Sequence, residues 1–303
     1  MLEKPTAIVD AHQHFWDIER NYLPWLCDPE PIPFRYGDYT SIRRSYGIAD
    51  YRRDTVGWPI TKTVYIEAEW QRADPVAETR WISALAAAGG LPTASVGWCD
   101  LARPDAGEVL AAHAAFPTMR GIRQKPSAAD RPQDAVRGAT GSMDDPAWRR
   151  GYARLAQNRL SFDLQTPWWH MDAAADLARD FPDTPIIINH TALPSDRSAD
   201  GLNGWRRALE KVAEQPNVAI KISGLGQQDA PWTVEANGPI VRDAIAIFGV
   251  DRAMFASNYP VDRLAGTFDT IYSGFLAATA YLSESEHNKL FHDNAMRFYR
   301  LDA

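Results

Sequence analysis

Pro185-Ile186-Ile187-Ile188-Asn189-His190 and Val218-Ala219-Ile220-Lys221-Ile222-Ser223 are short runs in which apolar residues follow one another without the polar alternation of a half-buried strand. A strand that is apolar on both sides is covered on both sides, the condition of a parallel sheet wrapped in helices. Similar segments recur along the 303 residues, giving candidate strands at 7–15, 63–70, 93–101, 119–124, 161–166, 185–191, 218–225 and 252–260. Between them apolar residues return every three and four positions, at 75–88, 144–158, 172–179, 202–214 and 234–248, which predicts helices. Ser283 and Glu286 form a capping box that opens a final helix. Eight strands alternating with helices predict an α/β fold, a closed (β/α)8 TIM barrel. A single domain over 1–303 is expected, because such barrels run to about 250 residues or more as one unit.

Two stretches break the alternation. Residues 17–59, rich in Trp, Tyr, Pro and Arg, follow neither period, and a long ordered connection on a barrel usually carries function. We expect this insertion to fold over the mouth of the barrel. Residues 127–142 form a second irregular insertion.

Hydrophobic residues make up 45% and charged residues 23%, enough to bury a large core. With a net charge of −7 the chain lacks the basic field that dominates nucleic-acid binding, so nucleic acid is excluded as an expected partner. No uncharged apolar run reaches the roughly 18 residues of a membrane span. The opening residues MLEKPTAIVDAHQH lack the apolar stretch of a signal peptide. Cys27 and Cys99 are too few for a disulfide framework. A cytoplasmic protein acting on a small molecule is the expectation, with oligomeric state left open.

The chemistry concentrates at strand ends. His12 and His14 flank Gln13 at the end of the first strand, and residues two apart on a strand face the same way. His190 ends the sixth, and parallel barrel strands converge on one mouth. Each histidine alone reads equally well as a hydrogen-bonded core residue; together they suggest one site. Arg123 closes the fourth strand, where a guanidinium could fork onto a carboxylate or stabilise an oxyanion, or simply pair with Glu67 or Glu69. Lys221, inside the seventh strand, needs a partner such as Asp10 or another carboxylate. Among eleven tryptophans, Trp16, Trp25, Trp98 and Trp168 lie near strand ends or in the long insertion, as candidate ring-stacking surfaces or core filling.

The segments VDAHQHFWD, DPVAETRW, GWCDL, RGIRQ, FDLQ, IIINHTALP, SNYPVDRL and NAMRFYRL, spread nearly end to end, resemble the amidohydrolase-related family. The resemblance is to its branch of fuconolactonases, rhamnonolactonases and pyrone-dicarboxylate lactonases. It implies an amidohydrolase-like barrel that opens a small lactone, a sugar-acid or related carboxylated lactone, to a hydroxy acid, with an active site of His12, His14, His190 and Asn258 and an inward Glu67. Two positions depart from the family pattern. Gln165 stands where a fifth-strand histidine is usual, and Asn258 where an aspartate follows the eighth strand. A neutral amide is a weak zinc ligand and no general base.

No metal is therefore expected to be required, although His12, His14 and His190 would be the ligands of a divalent ion such as zinc. His170 could replace the missing histidine if its loop folds back, or lie at the pocket rim. Asp262 could take over as base, or cap a helix. The expected mechanism has His12, His14 and Arg123 polarising the lactone carbonyl while His190 positions the attacking water or accepts its proton. The alternatives are a zinc-dependent decarboxylase or hydratase of the same barrel family, and a non-catalytic small-molecule binder.

Overall fold

A computed structural model describes residues 3–301. Eight strands, β1 (Ile8–Gln13), β2 (Ile60–Ile66), β3 (Ala94–Gly97), β4 (Met119–Arg123), β5 (Ser161–Leu164), β6 (Ile186–Ile188), β7 (Val218–Ile222) and β8 (Ala253–Phe255), pair in sequence order. All seven strand-to-strand pairings are parallel. The cylinder closes through a parallel bridge between Gln13 and Tyr259, with His14 N donating to Tyr259 O and Asn258 N to His12 O, both at 2.7 Å. Asp10 clamps this seam by accepting from Ser257 N (2.8 Å) and Oγ (2.6 Å) and from Tyr51 OH (2.7 Å).

Alternate strand residues divide between two apolar clusters. Ile186, Ile188, Ile220 and Ile222 pack outward against the helices, while Ile187, Ala219, Val64 and Met254 share a smaller cluster with Tyr299 and Leu301. That smaller cluster is the barrel interior, and it leaves inward Asp163 and Lys221 to pair with each other. The lysine's partner is thus Asp163 rather than Asp10, which is taken up by the seam.

The helix Val234–Phe248 falls on its predicted bounds, whereas Ala106–Ala114 and Phe268–Ala278 were not anticipated. The latter, rich in β-branched and aromatic residues of modest helix propensity, buries Phe268, Ile271, Tyr272 and Phe275, and packing overrides propensity. Strand β2 ends at Ile66, earlier than expected, and Glu69 takes a left-handed φ of 63°. Past the end of the strand Glu67 is buried, whereas Glu69 is half exposed and paired with Lys125.

Candidate active site

Beyond the C-terminal ends of the strands lies a cavity of about 240 Å³, lined by His14, Arg123, Gln165, His190 and Asn258 from the barrel. The long insertion contributes Trp25, Ile32, Pro33, Phe34 and Arg35, with Trp16 beside them at its start. Trp25 is held by Nε1 donating to Ala68 O (2.9 Å) and lies parallel to Phe34, ring centres 5.9 Å apart.

The first-strand imidazoles meet as their spacing predicted, with Nε2 atoms 3.2 Å apart, and the His190 ring centre lies 4.5 Å from that of His12. Their proton positions follow from their partners. His14 Nδ1 sits 2.7 Å from the carbonyl of Ile66, which can only accept, so Nδ1 carries the proton and Nε2 a lone pair. Burial and the Arg123 charge hold the His14 pKa down at about 3. His12 and His190 are likewise pushed well below 6.5, first by burial. All three rings are neutral near pH 7. His14 therefore cannot polarise a carbonyl through Nε2, and His12, fully buried, does not line the cavity. This corrects the expected role of both.

His190 is placed by a strained turn. It and the next three residues, Thr191, Ala192 and Leu193, all have φ between 50° and 57°, a left-handed run that costs roughly 1–2 kcal/mol per non-glycine residue. The turn aims the ring into the cavity with Nδ1 2.9 Å from Ser223 Oγ.

Arg123, fully charged, is fixed by Nε donating to Glu67 Oε1 (2.8 Å), Nη2 to the Glu67 carbonyl, and Nη1 to Gln165 Oε1 (2.9 Å). Gln165, at the position of the family's histidine, thus serves as an acceptor that orients the guanidinium. Asn258 donates Nδ2 to Asp262 Oδ1 (2.7 Å), which turns Oδ1 toward His14 Nε2 at 3.3 Å. Asp262 also accepts from Tyr36 OH (2.8 Å) and Gly224 N (2.9 Å), so it aims Asn258 and ties the insertion to the barrel, and does not reach the cavity.

Other candidates lie elsewhere. His170 Nε2 accepts from Ala129 N at 3.0 Å, anchoring the 127–142 insertion, and is not gathered with the other histidines. Trp98 packs under Arg72, and Trp168 packs on Gly204; neither lines the cavity, and Glu67 acts behind Arg123. Sequence reading missed Arg35, Phe34 and Lys125, which lie in connections without periodicity.

Two ligands on a tetrahedral zinc sit about 3.3 Å apart, the spacing of His12 Nε2 to His14 Nε2 and of His14 Nε2 to Asn258 Oδ1. The set stops there. Among the described residues no three His, Cys, Asp or Glu side chains are grouped to hold an ion. Two neutral rings and an amide beside the Arg123 cation do not make up a zinc site, and we route no step through one.

The neutral rings give a pH prediction. Unfolding lets His14 protonate below 6.5, whereas the folded ring resists down to about 3. Stability is therefore undiminished above pH 6.5 and declines as pH falls, by about 2 kcal/mol for this ring between pH 7 and 5. Urea unfolding at the two pH values measures it, and equal midpoints would refute the neutral assignment.

The chain is 43% identical to the uncharacterised protein y4mH of Sinorhizobium fredii over 295 residues, covering 97% of this chain and 99% of that one. It is 30% identical to an L-fucono-1,5-lactonase of Burkholderia ambifaria over 306 residues, covering 98% and 97%. A crystal structure of an amidohydrolase from Burkholderia multivorans with bound zinc superposes with a TM-score of 0.81 at 24% identity, covering 98% and 100%. The sequence profile of the family described as Amidohydrolase matches residues 9–301, and on that match the chain belongs to the amidohydrolase family.

Proposed function

We propose that the protein opens a small lactone to its hydroxy acid by attack of water on the ring carbonyl. The observation that carries this is the pairing, in one cavity, of a permanently charged, rigidly held Arg123 with the neutral imidazole of His190. Family membership and the likeness to an L-fucono-1,5-lactonase support it.

Arg123 stabilises the oxyanion that forms as water oxygen bonds to the carbonyl carbon. His190 Nε2 takes the proton released by the water, then returns it to the ring oxygen as the carbon–oxygen bond breaks. Water adds across the ester, and one hydroxy acid leaves. His14 Nε2 and Asn258 Oδ1, both acceptors, orient the water. Trp16, Trp25 and Phe34 supply the apolar wall for the ring.

A panel of aldonolactones and aryl lactones, followed by acid release, tests the reading; hydrolysis of none would overturn it. Replacing Arg123 by Met should lower kcat by roughly 10²–10³, the effect of losing one oxyanion donor. Lys at this position should restore little, because an ammonium cannot span Glu67 and Gln165 together. A kcat within threefold of the parent in R123M would remove Arg123 from the chemistry.

The zinc bound by the Burkholderia multivorans protein raises the question of a metal here. From the donor set, we expect full turnover after exhaustive chelation. Loss of turnover, restored only by adding zinc or manganese, would favour the metal-dependent alternative.

A further inference from the structure

The chain from the end of β2, Ile66 to Glu69, holds one group of the mouth with each of its residues. The Ile66 carbonyl accepts from His14 Nδ1 (2.7 Å), and Glu67 accepts from Arg123 through its carbonyl and through Oε1 (2.8 Å). The Ala68 carbonyl accepts from Trp25 Nε1 (2.9 Å), and the Glu69 carboxylate pairs with Lys125. His14, Arg123, Trp25 and Lys125 all line the cavity. One short turn thus sets the guanidinium and the aromatic wall together, and whatever fixes the turn fixes both.

The turn depends on support from outside. Glu69 has a φ of 63°, a conformation that a residue other than glycine keeps only where its surroundings enforce it. Glu67 N donates to Val96 O (2.9 Å) and Glu69 N to Glu67 Oε2 (3.0 Å). Between them, Ala68 N donates to Glu78 Oε1, which also accepts from Tyr65 OH (2.6 Å). Glu78 stands in the first turn of the helix Ala77–Gly89 and does not reach the cavity.

Ion pairing does not account for this carboxylate. Glu78 is buried, and among the described residues it has no salt-bridge partner, since Arg72 (3.1 Å) and Arg123 (2.8 Å) both pair with Glu67. Burial first, and then the Glu67 charge, push the Glu78 carboxyl above the usual carboxylate range, against the pull of Tyr65, Ala68 and Arg72. A buried carboxylate without a counter-charge is costly. The bonds it does make lead away from its own helix, to the turn and to the strand before it.

We propose that Glu78 is a positioning residue for the mouth: by holding Ala68 N it fixes the turn, and through the turn the direction of Arg123 and the place of Trp25. Its effect on turnover rests on the lactonase reading. Its effect on the two side chains does not, and is tested without substrate.

In nitrogen–proton correlation spectra, the Arg123 Nε–H and Trp25 Nε1–H signals report the two bonds to the turn, each assigned by its loss in R123M or W25F. Trp205 Nε1–H, which donates to Thr191 O (2.7 Å), is the control. E78A should shift or broaden both reporters and leave the control in place. E78Q keeps an acceptor at Oε1 and should leave all three near their parent positions. A role confined to stability would lower the unfolding midpoint of E78A without moving either reporter in the folded protein, and that result would overturn the proposal. So would equal shifts in E78A and E78Q. Should E78A fail to fold, Y65F decides: it removes only the hydroxyl that holds Glu78 Oε1, and both reporters should move by a smaller amount, whereas unmoved reporters would overturn the proposal. On a lactone that is turned over, E78A should lower kcat roughly 10- to 100-fold, the scale of a misplacement of about 1 Å, and E78Q should stay within about threefold of the parent. Reporters that move in a protein that hydrolyses no lactone would sink the lactonase reading and leave the positioning role standing.

Discussion

Replacing His190 by Ala is expected to lower kcat by roughly 10²–10⁴, the range supplied by a positioned general base. Among the described residues the ring is the only imidazole that both lines the cavity and is held by a side-chain hydroxyl, Ser223, which can either donate to or accept from Nδ1 as the proton moves at Nε2. His14 also faces the cavity, but its Nδ1 proton is committed to the Ile66 carbonyl. The left-handed turn from His190 to Leu193 adds a second reason. Strain of that kind persists only where the surroundings enforce it, and it clusters at functional sites. The variant should keep its fold, since alanine already occupies position 192 of the same turn. An H190A enzyme with turnover close to the parent, measured on whichever lactone the panel identifies, would remove the residue from the mechanism. A fall in kcat together with an unchanged unfolding midpoint would support its role.

The largest loss of stability is expected from Lys221→Met, at about 3–5 kcal/mol, the usual cost of removing one partner from a buried ion pair. Both Lys221 and Asp163 are fully buried in the barrel interior, where Tyr299 OH (2.8 Å) and Asn189 Nδ2 (3.0 Å) also donate to Asp163 Oδ1. Burial outweighs the attraction of Asp163 and draws the ammonium pKa down to about 8, so the pair is held by its surroundings as much as it holds them. Removing the lysine strands a carboxylate whose Oδ2 already has no partner. Replacing both residues by apolar ones should recover most of the loss, because neither charge is then left uncompensated. Urea unfolding of the single and double variants reads this directly. A single variant within 1 kcal/mol of the parent would show that the pair contributes little.

Much of the barrel was legible because its signal is local. An apolar run such as Ile186–Ile188 needs no knowledge of its neighbours to read as a covered strand, and eight of them in series leave few topologies. His12, His14 and His190 were visible for the same reason: a parallel barrel brings every strand end to one mouth. The boundary of β2 was less legible, because Glu67 to Trp70 continue an alternating pattern after the chain has left the sheet. The helix Phe268–Ala278 was hidden by residues that favour strands in isolation and become helical by packing.

What the amino-acid order determined alone was the architecture, the family and the residue types gathered at the mouth. Which nitrogen of His14 holds the proton, that Gln165 steers Arg123, that Asp163 answers Lys221 and that Trp25 of the insertion docks on Ala68 were decided only by the tertiary structure. The physical reason is range. Periodicity acts between residues a few positions apart, whereas these contacts join residues 42 to 58 positions apart, or depend on how a non-periodic insertion settles. Their energies depend on register, burial and the direction of individual lone pairs.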